Sequence, residues 1–398
     1  MKYCPGNCGL TEWMNCEVRR RKQLQSVSCR GPSSTQQSVR YSQSCSFSMI
    51  PSVQVHPRKM VAAPHSQSRG GGGSTSDNTS NRNRMESQGA RLLLDLFLFL
   101  LTSVYYVLEA CVLTLLPLRF RCDPDRLRGQ VALVTGGAGG VGRFLCVKLA
   151  QRGTTVVVWD VNAEGIKETV KAVQAAGGKA VGYVCDLSSR ASIYETAEKV
   201  KKEVGKVDIV VNNAAMLNCK LMLDIEDEKI ERTFDVNILA HFWMAKAFLP
   251  EMISSQRGHI VTVASVTGIL GTYKCSDYSA TKFAACGFHE VLYTELQVEK
   301  KTGVDCTLVC PYHINTPMFQ GVKPRLRPCL EPEYVAEKIV LAILKKENFV
   351  ILPNILRWFF PVKFFLPAKM CWSLMYNVLQ TPQAMMKFNG HEEKSKIN

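Results

Sequence analysis

Tyr278 and Lys282 stand four residues apart in the run Asp277-Tyr-Ser-Ala-Thr-Lys, and Ser265 lies 13 positions upstream. On a helix, a spacing of four puts both side chains on one face. A free phenol titrates at about pH 10, too high for a general base at neutral pH. A neighbouring ammonium favours the phenolate and lowers that value. Tyr278 is then suited to take the proton of an alcohol as hydride departs, or to return it in the reverse direction. Ser265 ends an apolar run and is placed to hold the substrate oxygen by a hydrogen bond. Any charged helix can produce a Tyr-x-x-x-Lys by chance, so the pair gains its meaning from what precedes it.

What precedes it is the turn Thr135-Gly-Gly-Ala-Gly-Gly-Val-Gly142, spaced as TGxxxGxG with Gly136, Gly140 and Gly142 as its framework and Val141 between the last two. It follows a β-branched run and opens a helical pattern. In that context glycines let the backbone turn tightly and approach a pyrophosphate, whose charge rests on the helix N-terminus. The next apolar run ends in Asp160, 18 residues past Gly142, close to the spacing of an acid that bonds a ribose 2′-hydroxyl. A carboxylate there repels a 2′-phosphate, and the turn holds no Lys or Arg. NAD is therefore expected rather than NADP.

These residues need a scaffold, and the pattern from Gly129 onward supplies one. Short apolar runs at Val131–Thr135, Thr154–Trp159, Ala180–Cys185, Val207–Val211, His259–Ala264, Val304–Val309 and Asn348–Leu352 alternate with helical stretches. Strands separated by helices imply parallel crossovers. The expected fold class is α/β, a Rossmann-type doubly wound parallel sheet in a single domain over residues 129–352.

The rest of the chain reads differently. Residues 1–88 are rich in Ser, Gln, Asn and Arg, with 12 Lys/Arg against 4 Asp/Glu, so they carry about half of the net charge of +15. Such a stretch buries too little apolar surface to offset its ordering entropy, and a disordered basic tail is expected. No nucleic-acid-binding module accompanies the charge, so no nucleic-acid partner is expected. Met85 lies seven residues before an apolar stretch, and residues 1–84 are expected to be dispensable for activity. The 16 cysteines include no CxxC pair, and they read as reduced, mostly buried thiols with no metal site.

Residues 91–117 are long and apolar enough to cross a bilayer, which takes about 20 residues. Asp95, Thr102 and Glu109 interrupt them at intervals of seven and fall on one helical stripe. The stripe suits a spanning helix with a partner or a helix lying at the interface. Residues 353–398 contain the aromatic run Ile355–Tyr376, broken by Pro361 and Pro367. One reading is a flap over the core. The preferred reading is an interfacial membrane contact, with Trp358, Trp372 and Tyr376 at headgroup level and Arg357, Lys363 and Lys369 reaching toward water.

Taken together, the glycine turn, Ser265, Tyr278 and Lys282 resemble the short-chain dehydrogenase/reductase family from Gly129 to about Leu352. The resemblance implies that Asp186 contacts the adenine. Asn212-Asn-Ala-Ala215 resembles the family's NNAG turn, with Asn213 at the cofactor and Ala215 replacing glycine. Asn237 is implied to complete a Ser-Tyr-Lys-Asn tetrad by holding a water near the lysine. Pro311 and Thr316 resemble the PGxxxT segment at the nicotinamide carboxamide, with Tyr312 in place of glycine. The segments Ala240–Pro250, Gly258–Ser265 and Pro311–Gly321 are similar to the membrane-bound retinol dehydrogenase branch, and the lipid-droplet hydroxysteroid 17-beta dehydrogenases share much of this wording. The branch implies oxidation of all-trans-retinol to retinal with NAD, a homodimer, and a site on the endoplasmic reticulum membrane, facing the cytosol, or on the lipid droplet. Oxidation of a steroid hydroxyl is the first alternative, and a non-catalytic NAD-binding scaffold the second.

Overall fold

The computed structural model describes residues 76–115, 123, 125–325, 327–358, 362–386 and 388. The chain divides into two units, 1–85 and 86–398, and of the first only residues 76–85 are described. The tail expected over residues 1–75 lies outside the described residues.

Helix α1 spans Ser76–Leu115. It begins inside the stretch read as tail, because a long apolar helix propagates into polar residues at little cost once nucleated. Its segment Gly89–Glu109 has a mean hydropathy of 1.8 and none of it is buried. That segment is long and apolar enough to cross a membrane. Thr102 Oγ1 donates to the Leu98 or Phe99 carbonyl, both at 2.9 Å, and Ser103 Oγ to that of Phe99 at 2.7 Å. The hydroxyls are thus satisfied within the helix, as a lipid environment requires.

The sheet has seven parallel strands: β1 Val131–Thr135, β2 Thr155–Asp160, β3 Lys179–Val184, β4 Ile209–Asn212, β5 Gly258–Val263, β6 Val304–Pro311 and β7 Phe349–Leu352. Their order is β3-β2-β1-β4-β5-β6-β7. The crossover helices are α2 Gly140–Ala150, α3 Ala163–Ala175, α4 Arg190–Glu203, α5 Asp227–Phe234, α6 Ala240–Ser254, α7 Ser276–Val298 and α8 Pro332–Lys345. Central strands are apolar on both faces because helices cover both. Side chains alternate across the sheet. Ala132, Val134, Val156, Val158 and Val211 pack with Leu145 and Leu149 of α2 and Ile339 and Ile343 of α8. Leu133, Val157, Val210 and Ile260 pack with Ile193 of α4, Phe248 of α6 and Leu292 of α7.

The sheet order reverses between β1, which leads to β2 on one side, and β4 on the other. A crevice opens at the carboxyl ends of strands at such a point, and ligands of open α/β sheets bind there. Short helices α9 Val362–Phe365, α10 Ala368–Ser373 and α11 Thr381–Met386 follow β7.

Candidate active site

The glycine turn joins β1 to α2. Gly136 has φ +65°, and a Cβ there would lie 2.8 Å from the Ala214 Cα. A Cβ on Gly142 would lie 2.0 Å from the Gly136 carbonyl oxygen, so the helix can start only if that residue is glycine. Thr135, which the sequence reading left unassigned, ties the turn to the loop after β4. Its Oγ1 accepts from Asn213 N at 3.0 Å and Ala214 N at 3.1 Å. The Asn213 amide donates to the Thr135 carbonyl at 2.9 Å. The threonine of a TG turn was a usable signal for this role.

A cavity of about 560 Å³ lies over these strand ends. Gly136, Gly140, Val141, Asp160, Asp186 and Asn213 line one part, and Ser265, Tyr278, Lys282 and Thr316 line another. The predicted residues Gly142 and Asn237 are not on its wall. Gly142 acts from beneath, through the close approach to Gly136. The Asp160 carboxylate accepts from Ala138 N and Asn162 N, each at 3.0 Å. Asp186 accepts from Ser188 N at 2.9 Å and Ser188 Oγ at 2.7 Å, and Arg232 stands 3.7 Å away. Burial works to raise the Asp186 carboxyl, but the Ser188 bonds and the Arg232 guanidinium together hold it below its ordinary value.

Asn237 is fully buried on a π-turn, Asp235–Leu239, between α5 and α6. Such wide turns occur often at functional sites. Its Oδ1 accepts from Met216 N at 2.7 Å, and its Nδ2 donates to the Met216 carbonyl at 2.9 Å and to Thr281 Oγ1 at 3.0 Å. Thr281 in turn donates to the Tyr278 carbonyl at 2.8 Å. The side chain therefore clamps the loop after β4 to the helix that carries Tyr278.

Lys282 is buried, and its Nζ donates to the Val263 carbonyl at 2.8 Å. Burial lowers its titration to about 8. The ammonium lies 5.5 Å from the centre of the Tyr278 ring. The sequence reading expected that ammonium to lower the phenol. The structure corrects this: burial and then Cys275 push Tyr278 above its ordinary value, and a hydrogen bond from Ser265 is what opposes them. Desolvation of the phenolate outweighs an ammonium that is itself buried. Ser265 Oγ accepts from Thr267 N at 3.1 Å.

A second cavity of about 330 Å³ adjoins this end, with Tyr312 on the walls of both. Val266, Leu270, Ile355, Leu356, Leu374 and Met375 make it apolar, and no Asp or Glu lines it. Lys363 and Arg357 turn back onto the protein rather than outward. Lys363 Nζ donates to the Ile269 carbonyl at 2.8 Å, and Arg357 to that of Phe349 at 2.9 Å. Sequence reasoning also missed Met385 and Phe388, which are buried beside Tyr278 with Cys219, Cys275 and Val322.

The larger cavity fits a nicotinamide dinucleotide. Gly139 borders open space that a side chain would fill, since a Cβ there would meet nothing within 4 Å, and Gly140 has φ +52° with Thr316 Cγ2 3.6 Å from where its Cβ would lie. Asp160 lies at the end of β2, where a ribose would be held. No group of three or more His, Cys, Asp or Glu among the described residues could hold a metal ion, and the ten described cysteines are free.

Comparisons with known proteins agree with this geometry. Residues 130–327 match the short chain dehydrogenase family. Human epidermal retinol dehydrogenase 2 is 43% identical over 279 residues, covering 69% of this chain and 89% of the relative. Human 17-beta-hydroxysteroid dehydrogenase 13 is 38% identical over 305 residues, covering 77% and 99%. Among solved structures, a short-chain dehydrogenase/reductase from Burkholderia phymatum in complex with NAD superposes with a TM-score of 0.55 at 24% identity, covering 60% of this chain and 94% of that one, and shows the same fold.

Proposed function

Because the chain belongs to the short-chain dehydrogenase/reductase family and is an NAD(P)-dependent oxidoreductase, we propose that it oxidises a lipophilic alcohol with NAD, all-trans-retinol to retinal being the leading reaction. The observation that carries the reading is the apolar, carboxylate-free cavity that shares Tyr312 with the cavity lined by Ser265 and Tyr278. It suits a hydrocarbon body whose hydroxyl reaches those two residues. The retinoid assignment draws on the 43% identity to an epidermal retinol dehydrogenase. A steroid alcohol is the second reading, favoured by a hydroxysteroid dehydrogenase matched over 99% of its length.

In this mechanism Ser265 bonds the substrate oxygen and orients the carbinol carbon. Tyr278 takes the hydroxyl proton, and the Lys282 ammonium, 5.5 Å from the ring centre, offsets part of the burial cost of the phenolate without overcoming it. Asn237 keeps the loop and helix in register; the family resemblance further implies a water between it and Lys282. Gly136, Gly140, Val141, Asp160, Asp186, Asn213 and Thr316 hold the dinucleotide, which when bound supplies the hydride acceptor. Asp160 favours NAD. The nearby Arg143 is engaged by Glu168 at 2.6 Å and by the Ala138 carbonyl at 2.6 Å, so it is not free to attract a 2′-phosphate. Asp160→Ala should raise the relative use of NADP, and a wild-type preference for NADP would overturn the cofactor assignment.

The helix Gly89–Glu109 supports membrane association. Placement on the endoplasmic reticulum facing the cytosol, or on lipid droplets, is part of the proposal. So is a homodimer through α6 and α7, where Phe242, Phe283 and Val291 are exposed. The purified full chain in detergent, with NADH absorbance followed on retinol and on a 17β-hydroxysteroid, tests the reading. Faster turnover of retinol supports it, faster turnover of the steroid moves the chain to the second reading, and NAD binding without turnover of either leaves a scaffold.

A further inference from the structure

A substrate must reach Tyr278, yet that residue is only 4% exposed. Its ring meets Phe319 edge-on at 6.3 Å, and Phe319 stacks on Phe388 at 6.4 Å. Met385 closes the same cluster and is fully buried. Met385 and Phe388 come from the far end of the C-terminal segment.

The near part of that segment faces the other way. Trp358 and Phe364 are each 76% exposed, Phe365 is 84% and Trp372 is 59%. Exposed aromatic surface gains about 25 cal/mol per Å² on leaving water, and indole and phenyl rings favour the membrane interface. The chain also carries a helix able to cross a membrane. Its own sequence therefore supplies the surface on which such a stretch would lie.

Few polar bonds hold the segment closed. Lys323 N donates to the Ala384 carbonyl at 3.4 Å, and Arg325 to that of Val378 at 3.0 Å. Arg325 also donates to the Asn377 carbonyl at 3.4 Å and Arg357 to that of Phe349 at 2.9 Å, and Lys363 is a further tie. Besides bonding the Ile269 carbonyl, its ammonium sits 5.1 Å from the Phe283 ring centre and 5.7 Å from that of Phe364. At a lipid surface an ammonium on a long stem is better placed among headgroups, and Phe364 is better placed in the acyl boundary. Docking thus weakens one of the contacts that hold the segment closed, which gives lipid the differential affinity a population shift requires.

We propose that docking of the exposed aromatics Trp358, Phe364, Phe365 and Trp372 on a lipid surface withdraws Met385 and Phe388 from Tyr278 and opens the catalytic cleft to a lipid-dissolved alcohol. The proposal rests on Tyr278 being the proton acceptor. It couples admission of substrate to the phase in which the substrate dissolves.

The test uses the full chain in nanodiscs, where α1 is available to hold the protein when the aromatic foot is altered. Phe364→Glu with Phe365→Glu should leave NAD binding unchanged. Turnover should fall by at least roughly tenfold, the rate effect of about 1.4 kcal/mol on the opening step. Adding Phe388→Ala, or Met385→Ala if the first variant fails to fold, should restore most of it. Unchanged turnover in the glutamate variant overturns the proposal, as does a folded triple variant that stays slow. A second arm needs no substrate: amide exchange over residues 381–386 should be faster in the wild type than in the glutamate variant. Equal exchange overturns the lid even if retinol is the substrate, and a difference in exchange upholds it even if retinol is not.

Discussion

The two sides of the cleft are held together by different means. On the cofactor side, Asn237 is fully buried and makes three hydrogen bonds, and Thr135 accepts two more from the facing loop. On the substrate side, Leu356, Met385 and Phe388 of the C-terminal segment pack into apolar clusters, and its polar ties run to backbone carbonyls: Arg357 to Phe349, Lys363 to Ile269, Arg325 to Asn377 and Val378, and Lys323 N to Ala384. Hydride and proton transfer need fixed distances, and a buried, satisfied polar network provides them. A lipophilic body needs room and give, which apolar packing provides. On the proposed function, the reaction is then built into the sheet ends, and selection of the substrate falls to the apolar C-terminal segment.

The sharpest break is in the chemistry. Tyr278→Phe removes only the hydroxyl, so NAD binding should survive while turnover falls by roughly 10²–10⁴, the usual loss for a positioned acid–base. Near-normal turnover of the Phe variant in an NADH assay would refute the assignment. Next in size is the clamp. Asn237→Leu leaves the part-buried Met216 N–H and carbonyl without this partner, each costing about 1 kcal/mol, the low end for a group that water can partly reach. Thermal unfolding should show a drop of several degrees, accompanied by weaker NAD binding. A melting temperature within one degree of wild type (roughly the noise of a surface substitution) would mean that the cofactor side is not held by this network.

Much of this was legible beforehand, and the exceptions have physical causes. The central strands were readable because strands buried on both faces are continuous apolar runs; β1, Val131–Thr135, was read to the residue. Boundaries slipped where burial fades: Ala180–Cys185 was expected at the sheet edge, and Lys179–Val184 is found. The start of α1 at Ser76 was not readable, since polar residues there carry no apolar period. At the site, Ser265, Tyr278, Lys282, Asp160 and the glycines could be found because each chemistry demands a residue type at a fixed spacing. Asn237 was readable only by resemblance, and its role as a clamp depends on a π-turn that leaves no composition signal. Met385 and Phe388 gave no signal at all. A single Met and a single Phe after a proline-broken segment have no period, and only the fold brings them to Tyr278.

Acid should separate the packed domain from its surface. Burial holds His241 down to about 3 and His259, His289 and His313 down to about 4, against about 6.5 in an unfolded chain. Between those values the unfolded chain binds protons that the folded one does not, so stability rises with pH there and is lost as pH falls from 6.5 toward 4. The slope is about 1.4 kcal/mol per pH unit for each such group. Lys282, lowered to about 8, acts in the same sense at alkaline pH, adding stability as pH rises from 8 toward the ordinary lysine value. Melting temperature measured from pH 7 to 4.5 should fall steeply. His259→Gln, whose amide can take the place of the Nε2 that bonds Thr307 Oγ1 in the wild type, should flatten the curve by one histidine. An unchanged slope would show that His259 is charged in the folded state.

The smallest effect is expected where the comparison is most easily tested, at the polar ties of the C-terminal segment. Arg357 donates to the Phe349 carbonyl from an exposed position, and water can replace that bond when it is lost. Arg357→Ala should cost under about 1 kcal/mol, as for most exposed substitutions. The Met385 side chain makes no polar bond, but it is fully buried. Truncating it to alanine should cost about 2–5 kcal/mol through lost contacts and the cavity left behind. Denaturant unfolding of the two variants measures the pair. If the arginine proves the costlier, the segment is held by its polar ties rather than by packing, and the distinction between a fixed cofactor side and a packed, movable substrate side fails at the point where it matters for admitting substrate.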